Sequence, residues 1–421
     1  MRFATCALLL ASVTGCLSEC PDNAGADTLS CSSSLKAVKA IKADAELDPY
    51  PEYNEQIEQA DSVAIARRIS NNEKADNEDN PLLKHHYSKR QAWNADETII
   101  DLGGQLLSMD GFEPAYPHQP MGSERNWSNL SPTKIFGIRF NPTPIEFVSF
   151  DIATEKYTII NIFSAYDKCT MGQGEGNVTA DDRFVALTCK KEDSESFDVI
   201  TFDIENRQII ATMTAKPNLN WAGFSPSGNY ILLENNTHPD PNAELIRYSP
   251  ELTDELVLTN DPEHGDFGYD TDGNEVYVMM EDTSMNYIRL DDRLKVNLPI
   301  GSRSNYVGYG HVSCRNTQRP GWCYISAHAN KHLGAVRISA STPVTEKLYD
   351  LDMKAKKAAT IYEHWGYHQS SEIDYASQPK ATVSRTGRHL LFTSNWLESS
   401  PTNEYILSVD STDKLITISD K

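Results

Sequence analysis

One short pattern governs what this chain can fold into: a polar turn followed at once by an apolar, β-prone run. It occurs as Trp93-Asn-Ala-Asp-Glu-Thr-Ile-Ile, Leu130-Ser-Pro-Thr-Lys-Ile-Phe and Val178-Thr-Ala-Asp-Asp-Arg-Phe-Val. It returns as Phe224-Ser-Pro-Ser-Gly-Asn-Tyr-Ile, Tyr269-Asp-Thr-Asp-Gly-Asn-Glu-Val, Arg319-Pro-Gly-Trp-Cys-Tyr-Ile and Val383-Ser-Arg-Thr-Gly-Arg-His-Leu-Leu-Phe. Five of the six spacings are roughly 37 to 48 residues, close to the propeller-blade period of about 40–45. The sixth, about 66 residues, holds an insertion. A four-stranded sheet of this composition cannot bury both of its faces alone. Seven such sheets can, by packing face to face around an axis. The expected fold is all-β: a seven-bladed β-propeller of four-stranded antiparallel blades over residues 84–421, each turn joining the innermost strand to the second.

The chain has 421 residues, a length that alone suggests two or three domains. The repeat replaces that expectation with one large ring. With 39% hydrophobic residues there is ample material for its core. The net charge of -22 excludes a phosphate-backbone partner, so no nucleic acid is expected, and it disfavours adsorption to an anionic membrane.

The amino terminus reads as an address. Arg2 precedes the apolar run Ala7-Leu8-Leu9-Leu10-Ala11, the layout of a signal peptide over residues 1–15. No stretch reaches the length of about 20 apolar residues that a membrane-spanning helix needs. Val13-Thr14-Gly15-Cys16 resembles the bacterial lipobox, which implies a diacylated Cys16 as the first mature residue. An ordinary signal peptide cleaved nearby is the alternative. Leu17 stands where an Asp would retain such a lipoprotein at the inner membrane, so the resemblance implies the Gram-negative outer membrane, with the lipid as the only membrane contact. Residues 16–83 are acidic and of low complexity, a composition that cannot fold alone and reads as a tether, with short helices feasible near Leu35–Ala45 and Ile57–Ile69. With Cys6 discarded and Cys16 lipidated, six cysteines remain in close pairs: Cys20 with Cys31, Cys169 with Cys189, and Cys314 with Cys323. An even remainder in local pairs suits disulfides in an oxidising compartment.

In a propeller the innermost strands line a central channel, and the residues just ahead of each turn crowd one mouth of it. These are Arg90 and Gln91; Glu124, Arg125 and Trp127; Gln173 and Glu175; Asn218 and Trp221; His264 and Asp266; His311 and Arg315; Gln378 and Lys380. The insertion adds Tyr362, His364, Trp365, Tyr367 and His368. Together they would build a polar ligand pocket; a wet channel with no ligand is the alternative.

The Phe224-Ser-Pro-Ser-Gly-Asn-Tyr-Ile form resembles the WD40-like repeat of TolB-type propellers, over about residues 84–421. A second resemblance is to the oligogalacturonate lyases, whose seven-bladed propellers carry a catalytic His, then a divalent-metal site made of a further His, a Gln and a His-Pro-His pair. His264, His311 and Tyr375-Ala-Ser-Gln378-Pro-Lys380 fall at similar blade positions. This chain has Gln378-Pro379-Lys380 for His-Pro-His and Tyr375 for the Gln, so a metal cofactor would rest on His311, with Gln378, alone.

That resemblance implies β-elimination of an acidic oligo- or polysaccharide. The uronate carboxylate must be neutralised before a base can remove the adjacent proton. Histidine suits the base and arginine the carboxylate clamp. The candidates are His264 or His311 as base and Arg315 or Lys380 as neutraliser. Arg90, Gln91, Glu124, Arg125 and Gln378 would hold the ligand, with Trp221, Trp365 and His368 against sugar faces. The acidic chain needs a local basic well from Arg90, Arg125, Arg315 and Lys380 to attract such a ligand. The alternative is a non-catalytic propeller that binds an envelope protein. His311, Cys314, Cys323 and His328 form a zinc-like inventory, against which stands a disulfide between Cys314 and Cys323 across a hairpin. There is no G-x-S-x-G elbow and no H-E-x-x-H motif.

Overall fold

The computed structural model describes residues 56–58, 64–72 and 82–409, except for 104, 117–120, 123, 142, 236–242, 261, 263, 282–283, 299–309, 328–331, 341–344, 351–377 and 395–401. All belong to the compact unit Lys42–Asp420. The proposed leader and its Cys16 lie outside the described residues, as do Trp365 and His368 of the insertion.

The chain is a seven-bladed β-propeller. Blade 2 is typical: Arg125–Trp127, Lys134–Arg139, Ile145–Asp151 and Lys156–Phe163 pair antiparallel in sequence order. Its innermost strand is buried throughout and its outermost is mostly exposed, so chain order runs from axis to rim. Blade 3 starts at Lys168–Met171, blade 4 at Leu219–Phe224, blade 5 at Gly265–Tyr269 and blade 6 at Gly310–Ser313, each a four-stranded sheet in the same order. Blade 1 is the leanest. Ile99–Asp101 pairs with Leu106–Ser108, and single bridges Trp93 to Ile100 and Leu107 to Pro114 stand in for its inner and outer strands.

Blade 7 closes the ring. Thr382–Val383, His389–Ser394 and Asn403–Val409 supply three strands, and the fourth comes from the other end of the chain. Ala64–Arg68 pairs antiparallel with Tyr405–Val409, and Gln56–Glu58 adds a fifth strand outside it. The helix thought feasible near Ile57–Ile69 is therefore strand, and part of the stretch read as tether is blade. The burial alternates along it: Ala66 and Arg68 are buried, Ile65 and Arg67 only partly. Period-two burial is what a sheet, not a helix, imposes.

Apolar clusters sit between neighbouring blades. Phe147, Val185 and Phe202 join blades 2 and 3; Phe224 and Ala186 join 3 and 4; Trp221 and Tyr277 join 4 and 5. Val278 and Ile325 join blades 5 and 6, and Tyr324 and Phe392 join 6 and 7. Trp93 with Leu391 joins blade 7 to blade 1, and Leu106 with Trp127 joins 1 to 2. Each such side chain contributes about 1.5–3 kcal/mol on burial, which is why no blade stands alone. The turns are stitched as well: Asp182 accepts the Asn129 amide at 2.7 Å, Glu275 the Ser227 amide at 2.8 Å and Glu97 the Thr386 amide at 2.6 Å.

Of the three expected cysteine pairs, Cys169 with Cys189 and Cys314 with Cys323 are disulfides. Both tie the inner edge of a blade to its second strand, and all four cysteines are buried. The third expected pair is not among them: Cys20 and Cys31 both lie outside the described residues. The zinc alternative fails because the Cys314 and Cys323 sulfurs bond each other.

Candidate functional site

The segment His85–Gln91, just ahead of blade 1, touches every blade. His85 pairs with Glu404 of blade 7, and His86 lies 3.6 Å from Asp101 of blade 1. Arg90 donates to the Arg125 carbonyl of blade 2. The Lys89 ammonium donates to Glu175 of blade 3 at 2.9 Å and lies 3.8 Å from Glu234 of blade 4. The Tyr87 hydroxyl is 3.2 Å from His264 Nδ1 of blade 5, and Gln91 donates to the Arg315 carbonyl of blade 6 at 3.1 Å. Contact with all seven blades places this segment along the axis, where it fills the channel with polar side chains.

The loop geometry around it is specific. Glu175 projects from the stretch 172–176, which directly follows the inner strand of blade 3. Gly172 has φ +56, and a Cβ there would overlap the Ala222 carbonyl oxygen, so only glycine fits. Burial works against the Lys89 charge, but Glu175 and Glu234 outweigh it and hold the ammonium protonated.

Blades 5, 6 and 7 bring four sequence-derived candidates together beside Tyr87. The His264 and His311 rings lie 4.7 Å apart, and Tyr87 stands edge-on to His311 at 5.0 Å. His311 Nε2 is 3.2 Å from Gln378 Oε1. Burial, then the Lys89 charge, push His264 down to about 4, so its imidazole is neutral at neutral pH. Burial, then the neighbouring Lys84 charge, pull Lys380 down to about 7, with Glu175 and Glu404 acting against them. The result is two histidines and a tyrosine in mutual contact, with a titratable ammonium near enough for its charge to act on His264.

The remaining candidates do other work. Arg315 donates to Asp266 through Nε at 2.9 Å and through a second nitrogen, and to the Phe267 carbonyl at 3.1 Å. Asp266 also accepts the Cys314 amide at 2.7 Å. This buried fork joins blades 5 and 6 and leaves no geometry for clamping a uronate. Arg125 is spent in the same way. It grips Asp101 from Nε at 2.6 Å and donates to the carbonyls of Met121, Gly122 and Gly103. Burial alone would raise the Asp101 pKa; the Arg125 charge reverses this and holds the carboxyl well below the usual range. Arg90 and Gln91 serve the axial segment, and Glu124 accepts the Met171 amide at 3.1 Å. Trp221 is 2% exposed, packed among Phe267 and Tyr277 with the Lys89 ammonium 4.5 Å from its ring, so it presents no face to a sugar. The expected basic well of four cations is thus reduced: Arg125 and Arg315 are each matched by a buried carboxylate. Sequence reasoning missed Tyr87 and Lys89, which no blade carries, and the buried pair His85 and Glu404.

Comparison with solved structures places the architecture. The fold is shared with oligogalacturonate lyases. One, in complex with manganese, aligns over 85% of this chain and 96% of its own at 11% identity, with a TM-score of 0.57. That of Vibrio parahaemolyticus aligns over 85% and 97% at 12% identity, with a TM-score of 0.54. A TolB from Acinetobacter baumannii overlaps 73% of this chain and 76% of its own at 12% identity and a TM-score of 0.38. No family model and no curated protein matches the sequence.

The residues present do not fit a metal of the kind the first of these holds. His311 and Gln378 bond each other, and Lys380 stands where the resemblance would put a second histidine of the metal site. Among the described residues no group of three or more His, Cys, Asp or Glu side chains could hold a metal ion.

Proposed function

We propose that this chain is an exported propeller that binds an acidic oligo- or polysaccharide at the mouth formed by blades 5, 6 and 7, with Lys380 as its cation. The observation that carries the reading is the meeting of the His264 and His311 rings, 4.7 Å apart, with Lys380 close enough that its charge acts on the neutral His264. A uronate carboxylate there would meet the Lys380 ammonium and the imidazole rings of His264 and His311, in competition with the nearby carboxylates of Glu175 and Glu404. Oligogalacturonate is the ligand named for two proteins of this fold, and a galacturonate polymer is therefore the first ligand to try.

The same group suits β-elimination. Lys380 neutralises the carboxylate, which acidifies the adjacent ring proton. The neutral imidazole of His264 takes that proton, the C4–C5 double bond forms, and the C4–oxygen bond breaks. The departing oxygen recovers the proton from the imidazolium, so no external acid or oxidant is consumed. The proposal includes export, with Cys16 as the lipid-bearing residue and the outer membrane as destination; the lipobox-like quartet supports this.

The test is incubation of the pure protein with pectic, ulvan-type and glycosaminoglycan polymers, reading the ultraviolet absorbance of unsaturated uronate products, beside calorimetric binding. Turnover that disappears in His264→Ala supports cleavage. Binding without turnover keeps the ligand and removes the reaction. Neither on any polymer overturns the proposal. One observation favours the second reading, an interaction propeller: the rim strand Lys156–Phe163 exposes Tyr157, Ile159 and Ile162, 42%, 44% and 49% accessible.

A further inference from the structure

Lys380 has a backbone φ of +44°, a left-handed conformation that L side chains rarely adopt. Such a turn persists only where its surroundings fix it, and here hydrogen bonds hold it from three sides. The Lys380 carbonyl accepts His85 Nε2 at 2.8 Å, the Ala381 amide donates to Ser326 Oγ at 3.1 Å, and the Thr393 amide donates to the Pro379 carbonyl at 3.0 Å.

His85 is the one of these partners that comes from outside the blades. A carbonyl only accepts, so Nε2 carries the hydrogen. The other ring nitrogen lies 2.5 Å from Glu404 Oε2, and Glu404 Oε1 accepts the Thr393 hydroxyl at 2.7 Å. The side chains of His85 and Glu404 are each 1% exposed. A titratable pair this deeply buried, with both ring nitrogens committed, is used by nothing in the chemistry above. Two residues further along the same segment, Tyr87 meets His264 and His311. His85 therefore fixes Lys380 and Tyr87 in one frame.

We propose that His85 is the positioning residue of the site: held by Glu404, it pins the Lys380 carbonyl and so maintains the left-handed turn that aims the Lys380 side chain at the anionic ligand. This rests on the reading of Lys380 as the ligand's cation.

The test compares the full-length wild type with His85→Leu, His85→Gln and Lys380→Met. Three quantities are read: oligogalacturonate affinity by calorimetry, hydrogen exchange of the Ala381 amide, and melting temperature. In His85→Leu, Ala381 exchange rises and affinity falls about tenfold, approaching Lys380→Met. His85→Gln keeps an N–H for the carbonyl and restores both to within about threefold of wild type. If His85→Leu does not fold, Glu404→Gln takes its place, with the same loss expected from weakening the other end of the pair. Unchanged Ala381 exchange, or raised exchange with unchanged affinity, overturns the proposal. A wild type that binds no acidic oligosaccharide overturns the ligand reading and this proposal with it, while the exchange measurement separately shows whether His85 holds the turn.

Discussion

The Tyr87 hydroxyl lies 3.2 Å from His264 Nδ1, across 177 residues of sequence. The contact joins the axial segment to blade 5, so the candidate site is made from two parts of the fold: side chains of blades 5, 6 and 7, and a stretch of chain that belongs to no blade. Three contacts with carboxylates hold that stretch in place: His85 with Glu404, His86 with Asp101, and the Lys89 ammonium with Glu175.

Lys89→Met removes the cation between Glu175 and Glu234 and leaves two carboxylates near the axis without it. The expected loss is about 3–5 kcal/mol of unfolding free energy, because breaking a buried pair strands its partner. Chemical denaturation measures it. Adding Glu175→Gln and Glu234→Gln to Lys89→Met should recover part of the loss.

His86 and His264 both sit at about 4 in the fold, against 6.5 for a free histidine, chiefly through burial. Between those values the unfolded chain binds more protons than the folded one, so stability is full above 6.5 and is lost as pH falls through 4. Each contributes up to about 3 kcal/mol to that loss. Melting curves from pH 7 to 4 should steepen toward acid, and less so in His86→Phe.

Lys380, at about 7, governs ligand binding in the opposite direction. Its ammonium is present below that value and lost above it. Affinity for an acidic oligosaccharide should hold from pH 5 to near neutrality, then fall by about tenfold per unit in alkali. His264 does not titrate in this window. Lys380→Arg, whose guanidinium stays charged, should flatten the fall.

Ala66 is wholly buried in the strand that closes blade 7. Ala66→Asp places a charge among Leu333, Tyr405 and Leu407 and should cost several kcal/mol, read by the same denaturation. A chain starting at residue 84 should be destabilised at least as much, whereas one starting at residue 52 should melt like the whole.

The blades were legible because the turn and strand pattern repeats, and seven copies of a weak signal make a strong one. Ring closure was not, because Ala64–Arg68 sits in a polar stretch and is strand only by virtue of its partner Tyr405–Val409. Candidate residues on blades were picked by their offset from each turn, and of these His264 lies against His311 and His311 bonds Gln378. That rule could not foresee that Arg315 is engaged by Asp266, a residue 49 positions away. Nor did it find Tyr87, which lies further ahead of the Trp93 turn than Arg90 and Gln91. The one available signal was compositional. His85-His-Tyr-Ser-Lys-Arg-Gln91 is a basic and aromatic run directly ahead of the first blade in a chain of net charge -22.

The most direct test of the ligand reading is calorimetric titration of the wild type and Lys380→Met with saturated oligogalacturonate at pH 6. The account expects binding in the wild type, a loss of about tenfold or more in the variant, and melting temperatures that stay close. Equal affinity in the two proteins, or no binding by the wild type, would contradict it.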